Sequence, residues 1–135
     1  MPKICEQFDI SFIHKDPWIT PVTYEENIRL MKTSYCCPDF RNYKGFDSTR
    51  VGYIPCRIFK AISYGHSGIT NSLKVKELLG EHVEYISSIE EIIPVVERRK
   101  DDVEWRKEAM RYVAEKHTYI NRVHDLALVL IRDRI

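Results

Sequence analysis

Pro55 and Gly65 bracket one short helix, and the rest of the chain has to be arranged around it. Proline suits a first helical turn, because its missing N–H has no intrahelical partner there in any case. Glycine suits the stop, because it accepts the left-handed backbone that ends many helices. Ile54, Ile58, Ala61 and Ile62 fall on one apolar face at helical spacing. Tyr53, Arg57, Lys60 and Tyr64 form an adjoining stripe, three to four residues apart. Ser67–Asn71 then reads as a short strand, with Asn71 or Ser72 capping a helix that begins at Leu73. A cationic stripe beside a helix start can hold an anion such as a phosphate. On spacing alone, a solvated basic edge on an ordinary core helix is the favoured reading.

The flanking sequence supplies the other elements. Phe8–His14 reads as a strand, Lys15–Pro21 as a loop with two prolines, and Thr23 with Glu26 as a capping box opening a helix. Ser34–Phe40 is short and apolar, as a buried parallel strand would be, and 41–51 is a polar loop. Beyond the central stretch, Leu73–Leu79 is a helix closed by Gly80, and Val83–Ile86 is a strand. Ser88–Glu91 is a second capping box, before a helix that Pro94 should kink or shorten. Asp101–Lys116 is amphipathic, with Trp105, Ala109, Tyr112 and Val113 on its inner side. Thr118 caps a last helix whose Ile120, Val123, Ala127, Leu130 and Ile131 are expected to pack on the body.

Strand and helix alternate, so the expected fold is α/β: a three-layer, Rossmann-like domain with a mostly parallel sheet of about four strands and a helical C-terminal end. In such a sheet the ligand crevice lies at the carboxyl ends of the strands. That expectation puts the loops after His14, Phe40, Asn71 and Ile86 on one rim, together with the start of the central helix.

At 135 residues the chain is one domain, residues 1–135. Its 21 basic and 20 acidic residues nearly cancel, which leaves no global field directed at nucleic acid or a membrane surface. No apolar run approaches the ~18 residues of a membrane span, and the first residues lack a signal-peptide layout, so the expected location is cytoplasmic. Cys5, Cys36, Cys37 and Cys56 contain no Cys-x-x-Cys pair and no histidine at zinc-finger spacing; they read as buried free thiols, with no metal.

Two segments carry a resemblance. The run from Pro55 to Asn71, Pro-Cys-Arg-Ile-Phe-Lys-Ala-Ile-Ser-Tyr-Gly-His-Ser-Gly-Ile-Thr-Asn, resembles the donor-site segment of GT-B glycosyltransferases. Ala114–Arg122, with its His-Thr-Tyr-x-x-Arg, is similar to the closing segment of the spore-maturation-type group of that family. The likeness covers roughly residues 8–134 in element order. It implies the C-terminal, nucleotide-sugar-binding portion of a longer glycosyltransferase, half of a GT-B fold, with an acceptor-binding domain missing.

The residues that the resemblance assigns to a nucleotide-diphosphate sugar are Arg57, Lys60, Tyr64, Gly65, His66, Thr70, Asn71 and Ser72. Arg57, Lys60 and backbone N–H groups would neutralise the leaving diphosphate, with no metal or other cofactor required. The acceptor, a saccharide or other molecule, is left open. His14, at the expected rim, is the candidate acid/base. The chain departs from the family at its paired glutamates, whose places are taken by Gly52 and Lys60. Activity of this chain alone therefore stays open. The alternative is a degenerate, non-catalytic module that pairs with a partner or with itself as a homo-oligomer. A third reading, a response-regulator-like domain, predicts an acidic cluster, and only Asp16 and Asp39 stand near the expected strand ends.

Overall fold

The segment between Pro55 and Gly65 is helical in the computed structural model, which describes residues 2–15, 18–40 and 54–132. Tyr53 and the 41–51 loop lie outside the described residues. In chain order the elements are α1 (Pro2–Gln7), α2 (Tyr24–Thr33), α3 (Cys56–Ser63), β1 (Ile69–Thr70), α4 (Leu73–Leu79), β2 (Glu84–Tyr85), α5 (Ile92–Arg99), α6 (Val103–Lys116) and α7 (Tyr119–Arg132). Single 3₁₀ turns, Gly80–His82 and Ile89–Glu91, precede β2 and α5.

This overturns the expected four-stranded Rossmann-like sheet. Of the described residues 63% are helical and 4% are strand, and the sheet they form is one parallel pair, β1 with β2, in the register Ile69–Glu84 and Thr70–Tyr85. A single parallel bridge from Asp39 to Thr70 adds a third extended segment.

The two missing strands fail for local reasons. The Ile10 N–H closes back onto the Cys5 carbonyl at 2.9 Å, Asp9 turns at φ +52°, and residues 11–15 run exposed. Residues 8–14 therefore leave α1 as an irregular strap. In 34–40, the Ser34 N–H extends the end of α2 by donating to Leu30 O, and Pro38 has no N–H to give. Only Asp39 reaches the sheet, its N–H donating to Ile69 O at 2.8 Å.

The helices follow the sequence signals closely. Pro55 stands at the N-cap of α3, whose Ile58, Ala61 and Ile62 are buried, and Gly65 takes φ +88° just beyond its end. Thr23 Oγ1 accepts from Glu26 N at 3.1 Å to start α2, while the Glu26 carboxylate turns to Arg29 instead of closing a box. Ser72 Oγ accepts from Val75 N and caps α4, which stops at Gly80. The Ser88–Glu91 box is complete, although it opens a 3₁₀ turn before α5. Asp102 caps α6, and Thr118 Oγ1 accepts from Asn121 N at the start of α7.

Two apolar cores lie on opposite faces of the β1–β2 ribbon. Ile58, Ile62, Val75, Leu79, Val83, Ala109 and Val113 join α3, α4 and α6 on one face. Ile69, Ile86, Ile92, Ile93, Val95 and Val96 join the ribbon to α5 on the other, with Ile4, Ile10, Cys36 and Phe40 packed at its edge. Val83 and Ile86 fall to opposite faces because strand side chains alternate. Gly68 is where α3 comes closest: a Cβ there would sit 2.8 Å from Ile62 Cδ1.

One expected contact is absent. The described residues of α7 contain none that is buried, and Ile120, Val123, Leu130 and Ile131 are 56–81% exposed. The helix forms, but its apolar side does not cover the body.

Candidate functional site

Parallel strands put their carboxyl ends on one rim, and here that rim carries Asp39, Asn71 and Ser87 in adjacent segments. The first turn of α3 reaches the same rim. Arg57 Nε lies 3.6 Å from Asp39 Oδ1, with the arginine side chain 62% exposed and the aspartate fully buried. At 3.6 Å this is an ion pair and not a hydrogen bond. Thr70 Oγ1 donates to Asp39 Oδ2 at 3.5 Å and accepts from Ser72 N at 3.1 Å.

The hydroxyls of Thr70 and Ser72 are thus engaged within the fold, and both residues are buried. They hold the rim together from within. At the end of β2, Ser87 N and Ser88 N both donate to Glu91 Oε1, at 3.0 and 2.8 Å, so these amides too are satisfied internally. The guanidinium of Arg57 is exposed at this rim. It has five N–H donors in a planar fork, and Asp39 lies on its Nε side. The outer nitrogens can take a bidentate oxyanion.

The eight residues assigned to the nucleotide-sugar divide into two sets. Arg57, Thr70, Asn71 and Ser72 come together at the rim, with Lys60 exposed one turn along α3. Tyr64, Gly65 and His66 follow the last turn of α3 and precede β1, so they lie at the opposite end of the helix. That separation is about 10 Å, from the 1.5 Å rise per residue. His66 Nε2 contacts the Met31 carbonyl, and Lys32 Nζ stands 5.6 Å over the Tyr64 ring. Both contacts tie α2 to the foot of α3. His14 is exposed on the strap and stacks on Phe12 at 6.4 Å, away from any strand end.

Asp39 is the residue that sequence reasoning left without a role. The signal was available: an aspartate at the end of an apolar run can be buried only beside a cation, and Arg57 is the stripe residue nearest the rim.

Two of the thiols are hard to ionise. Burial pushes Cys36 up to about 12, with Cys37 and Cys5 adding to it, and burial also raises Cys37. All four cysteines are free; Cys5 is buried, Cys36 and Cys37 are half-buried and Cys56 is exposed. Among the described residues no group of three or more His, Cys, Asp or Glu side chains could hold a metal ion. No described helix is long and apolar enough to cross a membrane.

Glu84 lies beneath the rim, between Arg98 (3.1 Å) and Arg99 (2.6 Å). Burial opposes its charge, but the two guanidiniums outweigh that and hold its carboxyl below the ordinary range. This pair of ion pairs braces β2 against α5.

No family model matches the chain, and no curated protein or solved structure matches it either.

Proposed function

We propose that this chain binds the diphosphate of a nucleotide-sugar at the carboxyl rim of its small parallel sheet, as the donor-side part of a glycosyltransferase. The observation that carries this reading is Arg57, an exposed guanidinium at the head of α3 oriented by the buried Asp39. Lys60, exposed one turn on, adds a second cation on the same stripe. Together they suit the charge that develops on a leaving diphosphate, which oriented donors stabilise more in the transition state than in the ground state. The ligand class comes from the resemblance of residues 55–71 to glycosyltransferase donor segments. Tyr64, Gly65 and His66 fall outside this reduced site and serve the α2–α3 junction.

Calorimetric titration with UDP, GDP, CDP and dTDP tests the proposal. One diphosphate is expected to bind, and Arg57→Ala to weaken it about tenfold or more, the loss of a charge-assisted contact worth about 1.5–3 kcal/mol. Absence of binding by the intact chain, or equal binding by Arg57→Ala, sinks it. A second reading, a non-catalytic interaction module, is favoured by the apolar surface of α7, and it is the reading left standing by that failure.

A further inference from the structure

Two groups share the Phe59 ring. The His117 imidazole lies 5.6 Å from its centre and the Arg122 guanidinium 5.9 Å. His117 is the C-cap of α6 and Arg122 stands in the first turn of α7, so the ring spans the corner between these helices. Tyr112 and His82 extend the cluster: His117 lies 5.2 Å from the Tyr112 ring, and His82 stacks on that ring at 4.2 Å. His117 Nε2 and His82 Nδ1 are buried, and neither has a hydrogen-bond partner among the described residues. A buried ring nitrogen without an acceptor suits a neutral imidazole and opposes a charged one.

We propose that this cluster is an acid-operated latch. While His117 is neutral, Arg122 seats on Phe59 and holds α7 to the body. When His117 takes up a proton, two cations meet on one ring, and α7 is released with both cores intact. The surroundings favour that outcome. Arg122, from α7, is the charge that acts on His117, and it is positive. From α3 the cluster meets Phe59 and from α6 Tyr112, both uncharged at neutral and mildly acid pH. From the 3₁₀ turn before β2 it meets His82, an imidazole that is neutral or positive. Lys60, Glu81, Glu115 and Lys116, the charged neighbours of these residues along the chain, are exposed, and water screens them. Asp125, one turn beyond Arg122, lies 3.7 Å from His124.

Release is confined to α7 because none of its described residues is buried, whereas fully buried side chains join the elements of the two cores. Burial, and then the Arg122 charge, lower the His117 pKa from 6.5 in the closed form. Release removes the Arg122 charge and opens the ring to water. The freed imidazole takes up a proton more readily, so release is favoured as the pH falls below 6.5.

Amide nitrogen relaxation by NMR on the full chain, at pH 8 and at pH 5, is the test, combined with pH titration of the histidine ring signals. Order parameters along α7 are expected to fall from about 0.85 to below about 0.6, while those of α3 and α6 hold. The midpoint of that fall should coincide with the titration of His117. His117→Phe keeps a ring beside Phe59 and cannot take up a proton, so its α7 is expected to stay ordered at pH 5. His124→Gln, outside the cluster, is expected to leave the response unchanged. Should His117→Phe not fold, the comparison of midpoints in the parent chain still decides. An α7 equally ordered at both pH values overturns the latch. So does a midpoint that follows another histidine, a response that survives in His117→Phe, or a loss of order that takes α3 and α6 with it.

Discussion

Arg57 Nε stands 3.6 Å from Asp39 Oδ1, an exposed cation held by a carboxylate with no exposed surface. A buried carboxylate is costly unless a cation neutralises it, and an exposed arginine is mobile unless something orients it. Each residue answers the other's requirement. Sequence separates them by the 41–51 loop and Pro55; the Asp39–Thr70 bridge and the start of α3 bring them together.

Asp39→Asn keeps the shape of the side chain and removes its charge. Arg57 then has to be ordered by the ligand, at about 0.5–1.5 kcal/mol for one immobilised side chain. The dissociation constant for the bound diphosphate is expected to rise about two- to tenfold, while far-ultraviolet circular dichroism stays unchanged. Calorimetry of the variant checks it. An unchanged affinity would separate Asp39 from the orientation of Arg57.

Gly68→Ala would place a methyl 2.8 Å from Ile62 Cδ1, 3.0 Å from Ile62 Cγ1 and 3.2 Å from Val83 Cγ2. Ile62 and Val83 are buried and cannot swing away freely. Overpacking at such a contact costs about 1–3 kcal/mol. Urea unfolding should show the midpoint fall with the slope unchanged.

Ser72→Ala removes the hydroxyl that accepts from Val75 N at the head of α4. The expected loss is about 0.5–2 kcal/mol. Ser72→Thr, whose hydroxyl can accept the same bond without adding a charge, should recover most of it in the same unfolding measurement. A variant as stable as the original chain would show that the 3.4 Å contact contributes nothing.

His117 packs among Phe59 and Tyr112, with Arg122 nearby. Burial, then the Arg122 charge, lower its pKa from the ordinary 6.5. The folded chain therefore holds its proton less tightly than the unfolded chain does. Stability conferred by neutral His117 is complete above pH 6.5 and declines as the pH falls below it, levelling off below the folded value. Melting temperatures between pH 8 and pH 5 should fall more for the parent chain than for His117→Phe. Equal slopes would remove His117 from the acid response.

Helix limits were legible because they are written in single residues. Pro55, Gly65, Ser72, Gly80, Ser88 and Thr118 each set a boundary through a cap or a backbone angle. Strands lack such punctuation and depend on partners distant in sequence. An apolar run such as residues 8–14 fits an exposed strap as well as a buried strand. Site residues suffered from the same gap. Arg57 and His66 are nine positions apart in one stretch, and only the direction of α3 shows that they stand at its two ends. The expected packing of α7 on the body was not met, because periodicity does not say what a helix face meets.

The β1–β2 ribbon works as a bulkhead between two compartments. The Ile62 core and the Ile93 core share no buried residue. Damage on one side should therefore not propagate to the other. Ile62→Ala and Ile93→Ala, each costing about 2–5 kcal/mol, would then sum in the double variant to within about 0.5 kcal/mol. A chain divided in this way can change the face that carries α5 without disturbing the face that seats α3.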